Sequence, residues 1–256
     1  MQAGSRRAIV NPQSGTGDHA DYAERLLRGR GYAVEQTTGP EDAVRFGREA
    51  GADGVSELAV CGGDGTINEV LRGLADSDAL GEPTVGVVPC GTANILADAL
   101  GIRDLRHGVE LADSGPVREI DVGVAGGKPF VVSCIAGLPA DASLAASSDL
   151  KSRFGTFAFV VTGVQEALGF DGIDIELAAT VAGRTETWEG EATCVLVGNA
   201  RKFIEEGGQA DMEDGLFDVA IVDKMPAGNL VAEAVGHRVL GQAIDRVTHI
   251  RAQDLT

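Results

Sequence analysis

The sequence VCGGDGTINEV, from Val60 to Val70, decides the fold, because an apolar run ends in a glycine cluster and a helical pattern begins at once. The three glycines are Gly62, Gly63 and Gly65. Because they lack Cβ atoms, they are predicted to permit positive φ angles and to let backbone N–H groups approach an anion closely. Thr66 and Glu69 have the T-x-x-E spacing of a capping box, which predicts a helix start whose positive end faces the same place. The stretch therefore predicts a phosphate-binding turn with one carboxylate, Asp64, inside it.

Two further strand ends carry small polar residues in the same way. The segment Ile9–Gly17 ends a strand in a loop that contains Asn11 and Ser14. The segment Val85–Asn94 contains Thr92, which is predicted to cap the helix that follows. In an open parallel sheet the carboxyl ends of the strands gather at one edge, where ligands bind. The three segments together predict a phosphate site built mainly from backbone N–H groups.

Strand and helix signals change character near residue 122. Residues 5–122 alternate apolar runs with helical stretches, the βαβα order of a parallel sheet with flanking helices. The strand-like runs of this part are Ala8–Val10, Ala33–Thr37, Leu58–Val60 and Val85–Val88. Later strand-like runs are Val122–Val124, Phe130–Cys134, Ile173–Leu177, Glu186–Gly190, Thr193–Val197 and Leu216–Val222, with helical patterns only at 150–168 and 226–241. We therefore predict an α/β domain over residues 1–122 and a mainly antiparallel β-sandwich domain over residues 123–256.

Composition narrows the class of partner. The 256 residues carry a formal net charge of −18, and 44% of them are hydrophobic, which is enough to bury a sizeable core. Nucleic acid is excluded as a partner because a phosphate backbone requires a basic face. So acidic a surface suits solvents of high salt and indicates a halophilic host, with an ordinary acidic bacterial enzyme as the alternative. The chain shows no run of 18 apolar residues and no leader peptide, which predicts a cytoplasmic protein.

The four cysteines, at positions 61, 90, 134 and 194, show no metal-ligand spacing. Each lies in an apolar strand or at its end, which predicts reduced core thiols. Cys61 and Cys90 adjoin the predicted phosphate loops.

Three motifs taken together resemble a known family. They are N-P-x-S-G from Asn11, G-G-D-G-T-x-N-E-V from Gly62 and P-x-G-T-A-N from Pro89. Their order and spacing are similar to those of the diacylglycerol kinase catalytic-domain family, which includes bacterial-type lipid kinases and sphingosine kinases and is distantly related to NAD kinases. The similarity continues through three segments, Gly137–Ala142, Lys151–Gly155 and Asn199–Asp218, and so spans about 210 residues. It implies an NAD-kinase-like N-terminal domain.

The resemblance implies that ATP binds at these loops and that Asp64 lies at the phosphoryl-transfer site. There Asp64 either activates the acceptor hydroxyl or bridges Mg²⁺, and a purely structural carboxylate is the third interpretation. The residues expected to hold the nucleotide are Asn11, Ser14, Thr37, Gly62, Gly63, Gly65, Thr66, Asn68 and Thr92. Thr37 is included because it matches a nucleotide-contacting threonine of the family. Asn68 and Asn94 are predicted to order their loops through side-chain hydrogen bonds, with ordinary helix or loop positions as the alternative.

A second acidic segment, ADMEDGLFD from Ala210 to Asp218, predicts a metal site. The carboxylates of Asp211 and Asp214 and the carbonyl group of Leu216 are hard oxygen ligands of the kind that Mg²⁺ takes. The resemblance points the same way, since the family binds a structural magnesium near this segment. A solvated acidic turn before a strand is the alternative.

The resemblance also implies an Asp-Gly-Glu segment beyond the strand Val247–Ala252, whose acid is a proposed general base. The sequence ends at Thr256 short of that segment. We therefore expect either that Asp64 suffices for catalysis or that turnover is low.

These observations predict an ATP-dependent lipid kinase that transfers the γ-phosphoryl group of ATP to a hydroxyl of diacylglycerol or a related lipid. ATP and Mg²⁺ are the expected cofactors, and the expected place is the cytoplasm, peripheral to the inner face of the membrane. Formation of a homodimer is left open. The alternatives are a kinase of a soluble alcohol or of NAD, and a nucleotide-binding regulatory protein without turnover. Four aromatic residues either line an acyl cleft or belong to the core: Phe154, Phe157, Phe159 and Phe170.

Overall fold

A four-stranded parallel sheet forms the centre of the first of two compact units, residues 1–132 and 133–256, in a computed structural model of the chain. The structure describes residues 5–137, 172–201, 210–224 and 247–256. The helical patterns at 150–168 and 226–241, the four aromatic residues above and the segment Lys151–Gly155 lie outside the described residues. The strands of the first sheet are β1 (Arg6–Val10), β2 (Ala33–Gln36), β3 (Glu57–Gly62) and β4 (Thr84–Pro89), in the spatial order β2–β1–β3–β4.

Helices cover both faces of this sheet. They are α1 (Ala20–Arg28), α2 (Asp42–Ala52), α3 (Asp64–Asp76), α4 (Ile95–Ala99) and α5 (Leu105–Ser114). On one face, Val10 and Cys61 pack with Leu27 of α1 and Val109 of α5. The alternate strand residue Val60 is also fully buried. Strands buried on both faces are the reason why this part of the sequence shows continuous apolar runs rather than alternation.

Glycines let α2 and α3 pack so closely that the backbone of one helix contacts the backbone of the other. A Cβ atom added to Gly47 would lie 2.4 Å from the carbonyl oxygen of Val70, and one added to Gly73 would lie 2.1 Å from that of Val44. Neither position could accept a side chain without moving a helix. This close packing fixes the direction of α3, which begins at the predicted phosphate turn.

The first unit ends in a hairpin, and the second unit is built on an antiparallel sheet. The hairpin strands are β5 (Gly123–Ala125) and β6 (Lys128–Phe130). The remaining strands are β7 (Ser133–Ala136), β8 (Ile173–Val181), β9 (Arg184–Gly198), β10 (Phe217–Asp223), β11 (Val247–Ala252) and β12 (Asp254–Leu255). Their order is β11–β10–β9–β8–β12, with β7 also paired to β9. The predicted fold class, a parallel α/β part followed by a mainly antiparallel β part, is confirmed.

The strand predictions in the second half are confirmed as strands, but two of the boundaries differ. The runs Glu186–Gly190 and Thr193–Val197 both belong to the single strand β9, because Gly190 stays in the ladder opposite Ile175. The run Phe130–Cys134 instead divides between β6 and β7. The domain boundary at residue 122 stays a prediction, and the structure groups the β5–β6 hairpin with the first unit.

Candidate functional site

The loops that follow β1 and β3 are joined at the carboxyl edge of the parallel sheet. The Asn11 backbone N–H donates to the carbonyl oxygen of Cys61 at 2.8 Å. The Asn11 side-chain amide donates to the Thr66 hydroxyl at 2.9 Å. The order β2–β1–β3–β4 places the crossovers to β2 and to β3 on opposite sides of β1, which is the kind of point where open α/β sheets bind ligands.

Asn11 also orders its own loop. Its side-chain oxygen accepts the Gln13 backbone N–H at 3.0 Å, and its carbonyl oxygen accepts the Ser14 backbone N–H at 3.3 Å. Gly15 has a φ of +58°, and a Cβ atom there would lie 2.4 Å from the Cys90 carbonyl oxygen. The loop after β1 therefore packs on the backbone of the segment after β4, with Ser14 half-buried in it.

The helix that follows the central glycine turn begins earlier than the sequence predicted. Helix α3 starts at Asp64 with Gly63 as its N-cap, and no side chain caps it. The predicted capping box of Thr66 and Glu69 is therefore wrong. Thr66 lies inside the first turn, only 6% exposed, and its hydroxyl accepts the hydrogen bond from Asn11. Partial burial, and next the charge of Glu41, raise the pKa of Glu69.

The glycines of this turn provide space rather than positive φ. Gly63 is extended, with a φ of −91°, and Gly62 and Gly65 are also absent from the positive-φ residues of the described chain. A Cβ atom on Gly62 would lie 2.6 Å from the Thr66 side chain, and one on Gly91 would lie 2.5 Å from the Gly63 Cα. The loops after β3 and β4 thus touch backbone to backbone. The predicted positive φ angles are wrong. Close approach explains Gly62 and Gly63, whereas a Cβ atom on Gly65 would have open space around it.

Asp64 caps a helix other than its own. Its two carboxylate oxygens accept the backbone N–H groups of Ile95 at 3.0 Å and Leu96 at 2.9 Å, at the start of α4. Helix α4 has no cap of its own, since its N-cap residue Asn94 is left-handed with a φ of 48°. The prediction that Thr92 caps this helix is wrong. Thr92 is exposed, and the oxygens that accept the first N–H groups of α4 belong to Asp64, in a different loop.

The predicted loop-ordering hydrogen bonds of Asn94 are confirmed. Its side-chain oxygen accepts the Gly91 backbone N–H and its amide donates to the Gly91 carbonyl oxygen, each at 2.8 Å. Asn68 lies half-buried within α3. Thr37 follows β2 at the same edge, 7% exposed, and its N–H donates to the Val10 carbonyl oxygen at 2.9 Å.

The loops at this edge contain no cationic side chain. Residues 11–18, 37–42, 62–66 and 89–95 include no lysine and no arginine, while they include Asp18, Glu41, Asp42 and Asp64. Anion binding here must therefore use backbone N–H groups, together with a cation that arrives with the ligand or from elsewhere in the chain.

In the second unit, Asp214 of the acidic turn before β10 pairs with an arginine that sequence reasoning missed. The guanidinium group of Arg251 forms an ion pair with Asp214, and its Nε lies 3.7 Å from a carboxylate oxygen of Asp218. Asp214 also accepts the Leu216 backbone N–H at 2.9 Å, and Asp211 accepts that of Glu213 at 3.1 Å. Arg251 is opposite Asp218 across the β10–β11 ladder, a pairing that only the strand register reveals.

Comparisons with known proteins show which family the chain belongs to. Residues 6–125 match the family model described as "Diacylglycerol kinase catalytic domain". A relative from Xanthomonas euvesicatoria pv. vesicatoria, named "Probable lipid kinase YegS-like", is 34% identical over 96% of this chain and 82% of its own length. The chain therefore belongs to the diacylglycerol kinase catalytic-domain family, as the three motifs predicted.

Two further similarities, one in sequence and one in fold, lie within the same family. A protein from Bacillus subtilis (strain 168) named "Diacylglycerol kinase" is 29% identical over 85% of this chain and 73% of its own length. A crystal structure of a diacylglycerol kinase from Bacillus anthracis str. Sterne superimposes with a TM-score of 0.67 at 22% identity, covering 100% of this chain and 86% of the other. That structure supports the fold alone. Among the described residues, every helix is too short or too polar to cross a membrane.

Proposed function

We propose that this protein is an ATP-dependent lipid kinase that transfers the γ-phosphoryl group of ATP to a hydroxyl of diacylglycerol or a related lipid at a membrane surface. The observation that carries the proposal is the junction of Asn11, Thr66 and Asp64. It places the start of α3, a loop rich in backbone N–H groups and one carboxylate at the same edge of the sheet. The names of the relatives, which refer to diacylglycerol and lipid kinases, support the choice of acceptor.

The start of α3 offers donors for the nucleotide phosphates. The first intrahelical bond runs from the Ile67 N–H to the Gly63 carbonyl, so the N–H groups of Asp64, Gly65 and Thr66 precede the helical ladder. The dipole of this 13-residue helix adds positive potential at the same end. Because these loops carry no lysine or arginine, we expect ATP to bind as its magnesium complex, whose ion offsets the phosphate charge.

Asp64 is the group proposed to accept the proton of the acceptor hydroxyl. Its two oxygens are held by the N–H groups of Ile95 and Leu96, and each carboxylate oxygen retains a second lone pair. A carboxylate fixed in this way can take the hydroxyl proton while the hydroxyl oxygen forms its bond to the γ-phosphorus and the bond to the leaving ADP breaks.

The acidic turn of the second unit is the proposed site of a structural Mg²⁺. The oxygens of Asp211, Asp214 and Leu216 fit the hard-donor preference of this ion. Arg251 already neutralises Asp214, so the ion and the guanidinium group would compete for that carboxylate. A bound Mg²⁺ would tie the turn together without taking part in phosphoryl transfer.

One observation favours a second candidate function, a nucleotide-binding regulatory protein without turnover. Both oxygens of Asp64 already cap α4, which is a sufficient structural reason for a carboxylate at this position. Under this alternative ATP binds at the same loops, and no phosphoryl group is transferred.

A phosphorylation assay separates the candidates. The purified chain is incubated with radiolabelled ATP and Mg²⁺ in molar KCl and, in separate reactions, with diacylglycerol in phospholipid vesicles, total lipid extract, glycerol and NAD. We expect label in a lipid product from the diacylglycerol vesicles. Label in NAD or glycerol alone would replace the lipid acceptor by a soluble one. Calorimetric ATP binding without label in any product would support the regulatory alternative.

A further inference from the structure

Beneath the loops of the candidate site, three side chains of the kind that bind soft metals lie together. The Sγ atoms of Cys61 and Cys90 are 2.8 Å apart. A ring nitrogen of His19 joins them in a group whose ligand atoms all lie within 4.8 Å of one another. Both cysteines are free thiols. Residue spacing did not indicate this group, because the three residues come from separate parts of the chain.

The parallel sheet brings the group together. Cys61 in β3 is opposite Val88 in β4, so Cys90, two residues further along, projects to the same face of the sheet. That face is covered by α1, and His19 immediately precedes the first residue of that helix. Cys61 is fully buried, whereas Cys90 and His19 are half-buried at the loop edge, where an ion can enter.

We propose that His19, Cys61 and Cys90 bind one divalent cation of the zinc type. Zinc prefers thiolate and imidazole ligands in a tetrahedral arrangement, and a three-residue set leaves the fourth position to solvent. On binding, the two thiols release their protons to solvent, and the two thiolates balance the charge of the ion. The resulting site is neutral, which is what an apolar environment requires. The proposal goes beyond the kinase activity and does not depend on it.

The geometry requires a small movement of one thiol. With Zn–S bonds of about 2.3 Å, a tetrahedral centre separates its sulfurs by roughly 3.8 Å. The present separation is 2.8 Å. We expect the side chain of Cys90 to turn, because it is less buried than that of Cys61. His19 Nε2 lies 3.3 Å from the Asn11 carbonyl oxygen. If Nε2 carries the proton and donates to that oxygen, Nδ1 keeps its lone pair for the metal, the arrangement that orients most histidine ligands.

An ion at this place would connect the elements that form the candidate site. It would tie the end of β3, the segment after β4 and the start of α1. The loop after β1 already packs on the Cys90 carbonyl oxygen. A bound ion would therefore restrict the movement of the loops after β1, β3 and β4. We therefore expect the bound ion to raise the melting temperature of the first unit.

Cobalt(II) is the probe, because it replaces zinc and its thiolate complexes absorb in the near ultraviolet. The full chain is reduced with a phosphine, freed of metal and titrated with Co²⁺, and then with Zn²⁺. We expect one equivalent of Co²⁺ to produce a thiolate charge-transfer band that Zn²⁺ abolishes, and Zn²⁺ to raise the melting temperature. Cys90→Ser should lose both signals, and His19→Gln should weaken binding by at least tenfold. The matched control is the double variant Cys134→Ser/Cys194→Ser, which removes the cysteines of the other unit and should retain both signals.

Three results would overturn the proposal. The first is the absence of the band in wild-type protein whose four thiols are all shown to be reduced. The second is a band that persists in Cys90→Ser, and the third is a band lost in Cys134→Ser/Cys194→Ser. Because Cys61 and Cys194 are fully buried, replacing either one by serine could unfold the protein. Circular dichroism of each variant therefore precedes its titration, and only folded variants count. The half-buried Cys90 carries the test, and Cys134→Ser alone is the control if the double variant does not fold.

Discussion

Asp64 is the first residue of α3 and Asp214 lies in the turn before β10, and the chain compensates the charges of these two carboxylates differently. Asp64 is held by two backbone N–H groups of α4. Asp214 accepts one backbone N–H and pairs with the guanidinium group of Arg251, whose side chain is 52% exposed. Backbone dipoles are fixed by the fold, whereas an exposed arginine can move away. Asp64 is thus oriented permanently, while Asp214 can exchange its partner for another cation.

The comparison shows that a sequence motif containing a carboxylate does not predict which group binds that carboxylate. The sequence left three interpretations of Asp64 open: activation of the acceptor hydroxyl, bridging of Mg²⁺ and a purely structural role. The structure shows that the α4 N–H groups satisfy the Asp64 carboxylate, and this leaves its chemical role to experiment. Asp214, which was expected to bind metal, already has a cation from the chain.

The largest effect is expected from Asp64→Asn. If Asp64 accepts the hydroxyl proton, the amide cannot replace it, and kcat should fall by about 10²-fold or more with little change in the KM for ATP. Asparagine keeps one acceptor oxygen for the α4 cap, so the free energy of unfolding should fall by only about 1 kcal/mol. Steady-state kinetics and denaturant titration measure the two effects separately.

The matched control for Asp64→Asn is Asp98→Asn, which neutralises an exposed carboxylate on α4 itself. We expect wild-type turnover in this variant. If a folded Asp64→Asn protein had an unchanged kcat, Asp64 would be only a helix cap. Asp64 and Asp214 would then both have a purely structural role.

The next effect concerns the contact between the loops after β3 and β4. Gly63→Val places a branched side chain where even a Cβ would lie 3.1 Å from the Gly91 Cα, so the loops must separate. We expect ATP affinity to fall by roughly fivefold to 150-fold, the range that corresponds to 1–3 kcal/mol of overpacking. Calorimetric titration measures it. Thr84→Val, at the exposed amino end of β4 and so at the opposite edge of the sheet, should bind ATP normally. Wild-type affinity in Gly63→Val would mean that the phosphates lie elsewhere.

A smaller effect tests the exchange of partners at Asp214. Saturating Mg²⁺ should raise the melting temperature by several degrees, since ligand at 100 times its Kd stabilises by about 2.7 kcal/mol. The increase should be larger in Arg251→Ala, where no guanidinium group competes for Asp214 and Asp218 lacks its partner. The increase should vanish in Asp214→Ala.

Arg184→Ala, at an exposed arginine of β9, is the matched control. Molar KCl should stabilise all four proteins, because it screens a net charge of −18 everywhere.

The metal assignment fails if Asp214→Ala keeps the full response to Mg²⁺. In that case the acidic turn is a solvated surface feature in which Arg251 pairs with Asp214.

The smallest effect is a pH dependence at Glu69. Its pKa is raised above the ordinary 4.5 by partial burial and then by Glu41. A carboxyl group with a raised folded-state pKa costs nothing below the unfolded value and destabilises as pH rises through the folded value. Glu69→Gln should therefore melt about 1–3 °C higher than wild type at pH 7, and the difference should disappear below about pH 4. The exposed Glu82→Gln should show no such pH-dependent gain, and an equal gain at pH 4 and pH 7 would contradict the burial argument.

Local sequence determined much of this protein. The apolar runs ending in NPQSG, GGDGT and PCGTAN specified parallel strands followed by polar loops, since strands buried on both faces show continuous apolar runs and glycine with small polar residues marks their ends. The same residues specified the family, which the matches confirm. The Gly91–Asn94 bonds were also predictable, because an asparagine side chain bonds its own near backbone.

Tertiary structure alone decided which distant groups these residues meet. Thr66 appeared to be a helix cap because T-x-x-E is a local signal, but the Asn11 amide reaches its hydroxyl across the sheet and α3 begins at Asp64. The partners of Asp64, Asp214 and Cys61 are 29 to 37 residues away along the chain. Sequence periodicity reports burial and local turns, whereas contacts between loops depend on strand order and register, which are set by packing of the whole chain.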